Sequence, residues 1–96
     1  MDMANCKKSG FVKKVTTDRN KIIALLKSAQ RKEEASNSLP LSFIDSKITL
    51  LYDSLRILLE VLALKNSLKI YNHECYTAFL KEIINESRLG DEFDKF

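Results

Sequence analysis

FIDSKITLLYDSLRILLEVLAL, residues 43–64, is too apolar around its circumference for a helix that rests only one face on a core. Ile44, Ile48, Leu51, Leu55, Leu58 and Leu62 recur at steps of four and three, so at about 100° per residue they form one stripe. That stripe is the expected seat for a partner helix. A second row, Leu50, Ile57, Val61 and Leu64, lies roughly a third of a turn away. Thr49, Asp53, Arg56 and Glu60 make the mainly polar arc. Each large aliphatic side chain gains roughly 1.5–3 kcal/mol on burial, so a helix apolar on several sides must be covered from several directions. The stretch is therefore the central helix. Its second row, Leu50, Ile57, Val61 and Leu64, is the expected interface with another copy. A membrane-spanning reading fails on Asp45, Lys47, Asp53, Arg56 and Glu60, because a charge near the bilayer centre costs about 2.5–3.5 kcal/mol.

The surrounding chain, 96 residues with a formal net charge of +3, is one domain's worth of sequence. Residues 1–16 carry four lysines against Asp2, a net +3, whereas residues 17–96 hold twelve basic and twelve acidic side chains. The positive charge thus sits in the N-terminal stretch. MDMANCKKSGFVKKV has no sustained period, so residues 1–16 read as a mobile basic tail and residues 17–96 as a single helical domain. The tail lacks the uninterrupted apolar run of a signal peptide. Cys6 in the tail and Cys75 in a helix argue against a structural disulfide and for a reducing, cytoplasmic setting.

Thr16, Thr17 and Asp18 offer N-caps to a helix over about 18–36, whose narrow apolar face is Ile22, Leu25, Leu26 and Ala29. Asn37-Ser38-Leu39-Pro40-Leu41 is a turn, with Pro40 able to open the next helix. So short a connection implies antiparallel packing on the central helix. The central helix should end near Lys65-Asn66-Ser67-Leu68-Lys69. Asn72 is the N-cap of a third helix over about 73–88, with Tyr71 and Tyr76 at the spacing of a hydrophobic staple. Cys75, Tyr76, Phe79, Leu80 and Ile83 are its apolar face, and Leu89-Gly90 reads as its stop. Asp91 would cap a fourth helix carrying Phe93 and Phe96. The fold class is thus all-α: an antiparallel bundle of three helices plus the start of a fourth, completed by dimerisation.

Signals of chemistry are sparse. His73 is the only histidine and the candidate acid–base residue, since imidazole titrates near physiological pH. With Glu74 and Cys75 it matches none of the usual zinc spacings, so no metal is expected. Cys75 falls beside the apolar stripe and reads as a buried thiol. Asp53, Arg56 and Glu60 are explained by ion pairing along the helix surface. With only Gly10 and Gly90 there is no glycine-rich phosphate loop, and no cofactor is implied.

The run LYDSLRILLEVLALKNSLKIYNHECYTAFLKEI, Leu51–Ile83, resembles the middle of the HEPN (higher eukaryotes and prokaryotes nucleotide-binding) family, especially its small archaeal members. The likeness extends over about 18–96, with YNHEC its most specific part. It implies a bundle of four or five helices, a homodimer, and a small nucleotidyltransferase partner in a toxin–antitoxin pair. Active members resemble one another in an arginine followed four to six residues later by a histidine, which cuts RNA. None of Arg19, Arg31, Arg56 and Arg88 precedes His73 at that spacing. The chain then reads either as a shortened member without the nuclease element or as a piece of a longer product. The implied function is a binding or assembly module, catalytically inactive as it stands. The alternative is a metal-independent RNA-cleaving enzyme whose site forms across a dimer from His73, Arg56 and Tyr71. RNA or a nucleotide is the ligand that this alternative implies. Nucleic-acid binding by the basic tail is a third reading.

Overall fold

The computed structural model describes residues 1–95 in the order α1 (Met3–Lys8), β1 (Val12–Lys14), α2 (Arg19–Ser38), a 3-10 turn (Leu41–Phe43), α3 (Ile44–Lys65), β2 (Leu68–Ile70), α4 (His73–Glu82) and α5 (Ser87–Asp94). Helix dominates, and the fold is all-α with one small ribbon. The chain divides into two compact units, Thr17–Lys65 and Met1–Thr16 with residues 66–95. The N-terminal stretch belongs to the same unit as the C-terminal third of the chain.

The first unit is an antiparallel helical hairpin. Asp18 caps α2, its carboxylate accepting from the amides of Asn20 and Lys21. Pro40 opens the turn into α3, as its fixed φ suggests. One row of covered positions runs along α2 and its C-cap through Ile22, Leu25, Ala29, Lys32, Ser36 and Leu39, and one along α3 through Lys47, Leu50, Ser54, Ile57, Val61 and Leu64; Leu59 and Ala63 are buried on another side of α3. Both sets advance by alternating steps of three and four, the seam of a paired coiled coil. Small residues lie at the middle of each set, so the backbones approach closely. Ser54 Oγ donates to the Ala29 carbonyl at 2.9 Å and Ser36 Oγ to the Lys47 carbonyl at 3.0 Å. No basic residue lies in the last turn of α2. Lys47 supplies the charge from α3, its Nζ donating to the carbonyls of Ser36 (2.6 Å) and Leu39 (2.8 Å). At the other end Thr17 Oγ1 donates to the Leu64 carbonyl at 3.1 Å, which holds the two ends of the hairpin together.

This register reverses the assignment of faces on the central helix. The row expected as an interface is the seam: Val61 and Leu64 are buried and Leu50 and Ile57 half-buried within the single chain. The more apolar stripe, expected to seat α2, is turned outward. Hydrophobicity favours that stripe, but close approach at Ala29, Ser36 and Ser54 and the hydrogen bonds it permits are available only on the other row.

The second unit is built on α4, whose Phe79 and Leu80 are fully buried. Residues 1–16 are folded into it rather than standing apart as a tail. Asp2 caps α1, and the Glu82 carboxylate accepts from the Met3 amide at 2.9 Å. Gly10, at φ 80°, ends the helix: its amide reaches the Lys7 carbonyl and the Phe11 amide reaches that of Cys6. That pair of bonds is the Schellman arrangement, which needs a left-handed residue where glycine stands. β1 then pairs antiparallel with β2, Val12 facing Ile70, Lys13 facing Lys69 and Lys14 facing Leu68. Val12, Leu68 and Ile70 point inward and are buried.

Cys6 and Cys75 form a disulfide, with Cα atoms 5.9 Å apart and both side chains fully buried. The expectation of unpaired thiols fails because the ribbon returns α1 to α4 across 69 positions, a proximity that spacing in sequence does not reveal. The argument for a reducing compartment from unpaired cysteines falls with it.

Asn72 caps α4 as expected, accepting from the Cys75 amide at 3.3 Å. Tyr71 and Tyr76 do not form the staple: Tyr71 is exposed on the ribbon, and Tyr76 meets Phe93 edge-on at 6.3 Å. α4 stops at Glu82 and the chain turns through Asn85, at φ 64°. Gly90 is accordingly no stop but a buried position inside α5. A Cβ there would stand 2.7 Å from Lys81 Cγ and 3.2 Å from the Thr77 carbonyl oxygen, so glycine is what lets α5 lie against α4. Phe93 is buried on the expected face, and Phe96 lies outside the described residues.

Candidate functional site

His73 opens α4, and its surroundings account for it. Its ring stacks on Phe93 at a centroid distance of 4.2 Å and 16° between planes. Nε2 lies 3.1 Å from the Phe93 carbonyl, which can only accept, so Nε2 carries the proton and donates it. The histidine thus fastens the start of α4 to the end of α5. Tyr71, the other residue from this part of the chain in the composite nuclease reading, has different partners. The ammonium groups of Lys13 and Lys69 lie 5.8 and 6.0 Å from its ring centroid. Arg56 belongs to the hairpin unit and is exposed.

An open polar cleft of about 700 Å³ lies in the second unit, bordered by Asp2, Glu74, Lys81, Glu82 and Asp94. Most of these side chains already serve the fold. Asp2 caps α1, Glu82 receives the Met3 amide, and Asp94 accepts from Thr77 Oγ1 at 3.3 Å. Lys81 pairs with Asp91 at 2.6 Å, and that hydrogen bond holds its ammonium above the ordinary lysine pKa against a smaller opposing effect of burial. Among the described residues no group of three or more His, Cys, Asp or Glu is placed to hold a metal ion. No helix among them is long and apolar enough to cross a membrane.

Two surfaces stand out on the exposed side of these elements. One is the outward stripe of the hairpin. Ile44, Ile48, Leu51 and Leu58 on α3 and Ile23 and Leu26 on α2 are each between 41% and 57% exposed. In an antiparallel pair with the seam described, Ile23 and Leu26 fall on the same side as the α3 stripe, so the six residues make one face. Leu41 and Phe43, 79% and 54% exposed, extend it at the start of α3. The stripe itself is legible in the sequence, but its exposure is not. On α3 Asp53 of the polar arc makes a contact between helices, with Lys32 at 3.9 Å.

The other surface is the outer face of the β1–β2 ribbon, where Lys13 and Lys69 stand directly opposite each other beside Tyr71. Neither strand nor the turn before β1 contains an acidic residue. The alternation of so short a ribbon, interrupted by lysine pairs, hid it from sequence reasoning; only the Val12/Ile70 inward pattern could have signalled it. Compared with known proteins, the chain matches no family model, no curated protein and no solved structure.

Proposed function

We propose that this chain is a helical assembly module that pairs with a second copy of itself through the outward stripe of the hairpin. Within the HEPN-like reading it stands on the binding side of the family rather than the cutting side. The carrying observation is the exposure of Ile23, Leu26, Ile44, Ile48, Leu51 and Leu58 on one face. With Leu41 and Phe43 these side chains leave on the order of 800 Å² per copy, taking about 200 Å² for the whole surface of such a residue. That is the roughly 800 Å² each partner contributes to an interface of standard size, and more than single proteins ordinarily leave in water. The stripe is also self-complementary. In a two-fold antiparallel pairing of α3 with its copy, Ile44 would face Leu62, Ile48 would face Leu58 and Leu51 would face Leu55, so every position meets an apolar partner. The nuclease alternative is disfavoured by the engagement of His73 with Phe93.

Sedimentation velocity at micromolar concentration is expected to give a dimer. Ile48→Glu with Leu58→Glu should give a monomer of unchanged helicity, whereas Ile57→Glu, in the seam, should lose helical signal. A monomeric parent chain at about 100 μM would refute the reading, as would a dimer indifferent to the double substitution.

A further inference from the structure

Of the six asparagines in the chain, Asn85 alone is followed two positions on by a serine or threonine, in Asn85-Glu86-Ser87. That spacing, with no proline between, is the acceptor pattern for asparagine-linked glycosylation, a modification of exposed turns in secreted proteins. Three residues in this order arise readily by chance. The fold supplies the two conditions that give them meaning, an accessible place and an oxidising compartment.

The place is the connection from α4 to α5. Asn85 stands there at φ 64°, a left-handed conformation that asparagine tolerates better than most residues. Asn85, Glu86 and Ser87 are all exposed. The backbone around them is tied down, since the Ile84 amide donates to the Phe79 carbonyl at 3.1 Å and the Glu86 amide to the Leu80 carbonyl at 2.8 Å. A group added to the Asn85 side chain extends into solvent and leaves these bonds in place. Ser87 is not needed to start α5: the N-cap is Glu86, whose side chain makes no capping bond, and Ser87 sits one position past it. Ile83 and Leu89, 43% and 48% exposed on either side of the turn, are apolar surface that an attached sugar would shield.

The compartment follows from the Cys6–Cys75 disulfide, which lies in the same unit with both side chains fully buried. Such bridges form and persist where the surroundings are oxidising, as in the lumen of the endoplasmic reticulum and outside the cell. We infer that Asn85 is the acceptor of an N-linked glycan. In the transfer, the Asn85 carboxamide nitrogen attacks the anomeric carbon of an oligosaccharide carried on a polyprenyl diphosphate. A C–N bond forms and the C–O bond to the diphosphate breaks; the diphosphate leaves with the electron pair, and the amide gives one proton to a base of the transferase. The site lies in the second unit, so it stands or falls separately from the pairing of the hairpin.

The test delivers the full chain, behind an added and cleavable leader, to the endoplasmic reticulum of cultured cells. The product is read by intact mass spectrometry before and after treatment with an N-glycan amidase. A species heavier by one oligosaccharide is expected, and the amidase should remove the excess and leave an aspartate where Asn85 stood. Asn85→Asp, which keeps a residue at ease in the left-handed turn, should abolish the excess, as should Ser87→Ala, whereas Ser87→Thr should retain it. Titration of the same samples without reductant should find no free thiol, which shows that the chain has folded around its disulfide. An unglycosylated chain with the disulfide formed, free thiols in the delivered chain, or a glycan that survives Asn85→Asp would each overturn the inference.

Discussion

Reduction of the Cys6–Cys75 disulfide should remove several kcal/mol of stability, and the size of the loss depends on what becomes of the hairpin. The bridge spans 69 positions. If the whole chain unfolds together, the constraint on the unfolded state is that of a loop of about 70 residues, worth ~4.4 kcal/mol in the chain-entropy account. Thr17–Lys65, however, is a compact unit whose ends are joined by the Thr17 Oγ1 to Leu64 hydrogen bond. If the hairpin stays folded while the second unit opens, only about 22 residues of flexible chain separate the cysteines, and the constraint falls to ~3.4 kcal/mol. Urea unfolding followed by far-ultraviolet circular dichroism, with and without reductant, separates the two cases. One transition displaced by the larger amount indicates a single cooperative chain, and two transitions with only the first displaced indicate separable units. Reduced wild-type protein is the better comparison, because Cys6→Ala and Cys75→Ala also remove buried side-chain packing. A loss below about 1 kcal/mol, or two titratable thiols in protein unfolded without reductant, would refute the reasoning.

Gly90→Ala should destabilise by about 1 kcal/mol, where an unobstructed helical site would gain about that much from better propensity; the new Cβ meets Lys81 Cγ and the Thr77 carbonyl oxygen, and thermal melts give the sign. Lys47→Met keeps the aliphatic stem but leaves the Ser36 and Leu39 carbonyls without their cation, an expected loss of about 1–2 kcal/mol readable from the urea midpoint.

Sequence periodicity located the long helices because one-dimensional patterns report local structure well. Asp18, Pro40 and Asn72 act where their own chemistry places them, since a cap or a fixed φ concerns only a few neighbouring residues. Gly90 shows the limit of such local rules. It reads as a helix stop, yet its role is set by Lys81 and Thr77 on the helix before it. His73 likewise looks available from its position at a helix start, whereas Phe93, twenty residues on, decides its partners.

The amino-acid sequence by itself therefore determined an all-α chain with a central helix too apolar for one partner, because composition and period act residue by residue. Tertiary structure alone decided which side of that helix faces α2, because close backbone approach at Ala29, Ser36 and Ser54 depends on both helices at once. It alone also made the basic N-terminal stretch part of a folded unit, because Val12 and Ile70, like Cys6 and Cys75, meet only after the chain has returned through the whole hairpin.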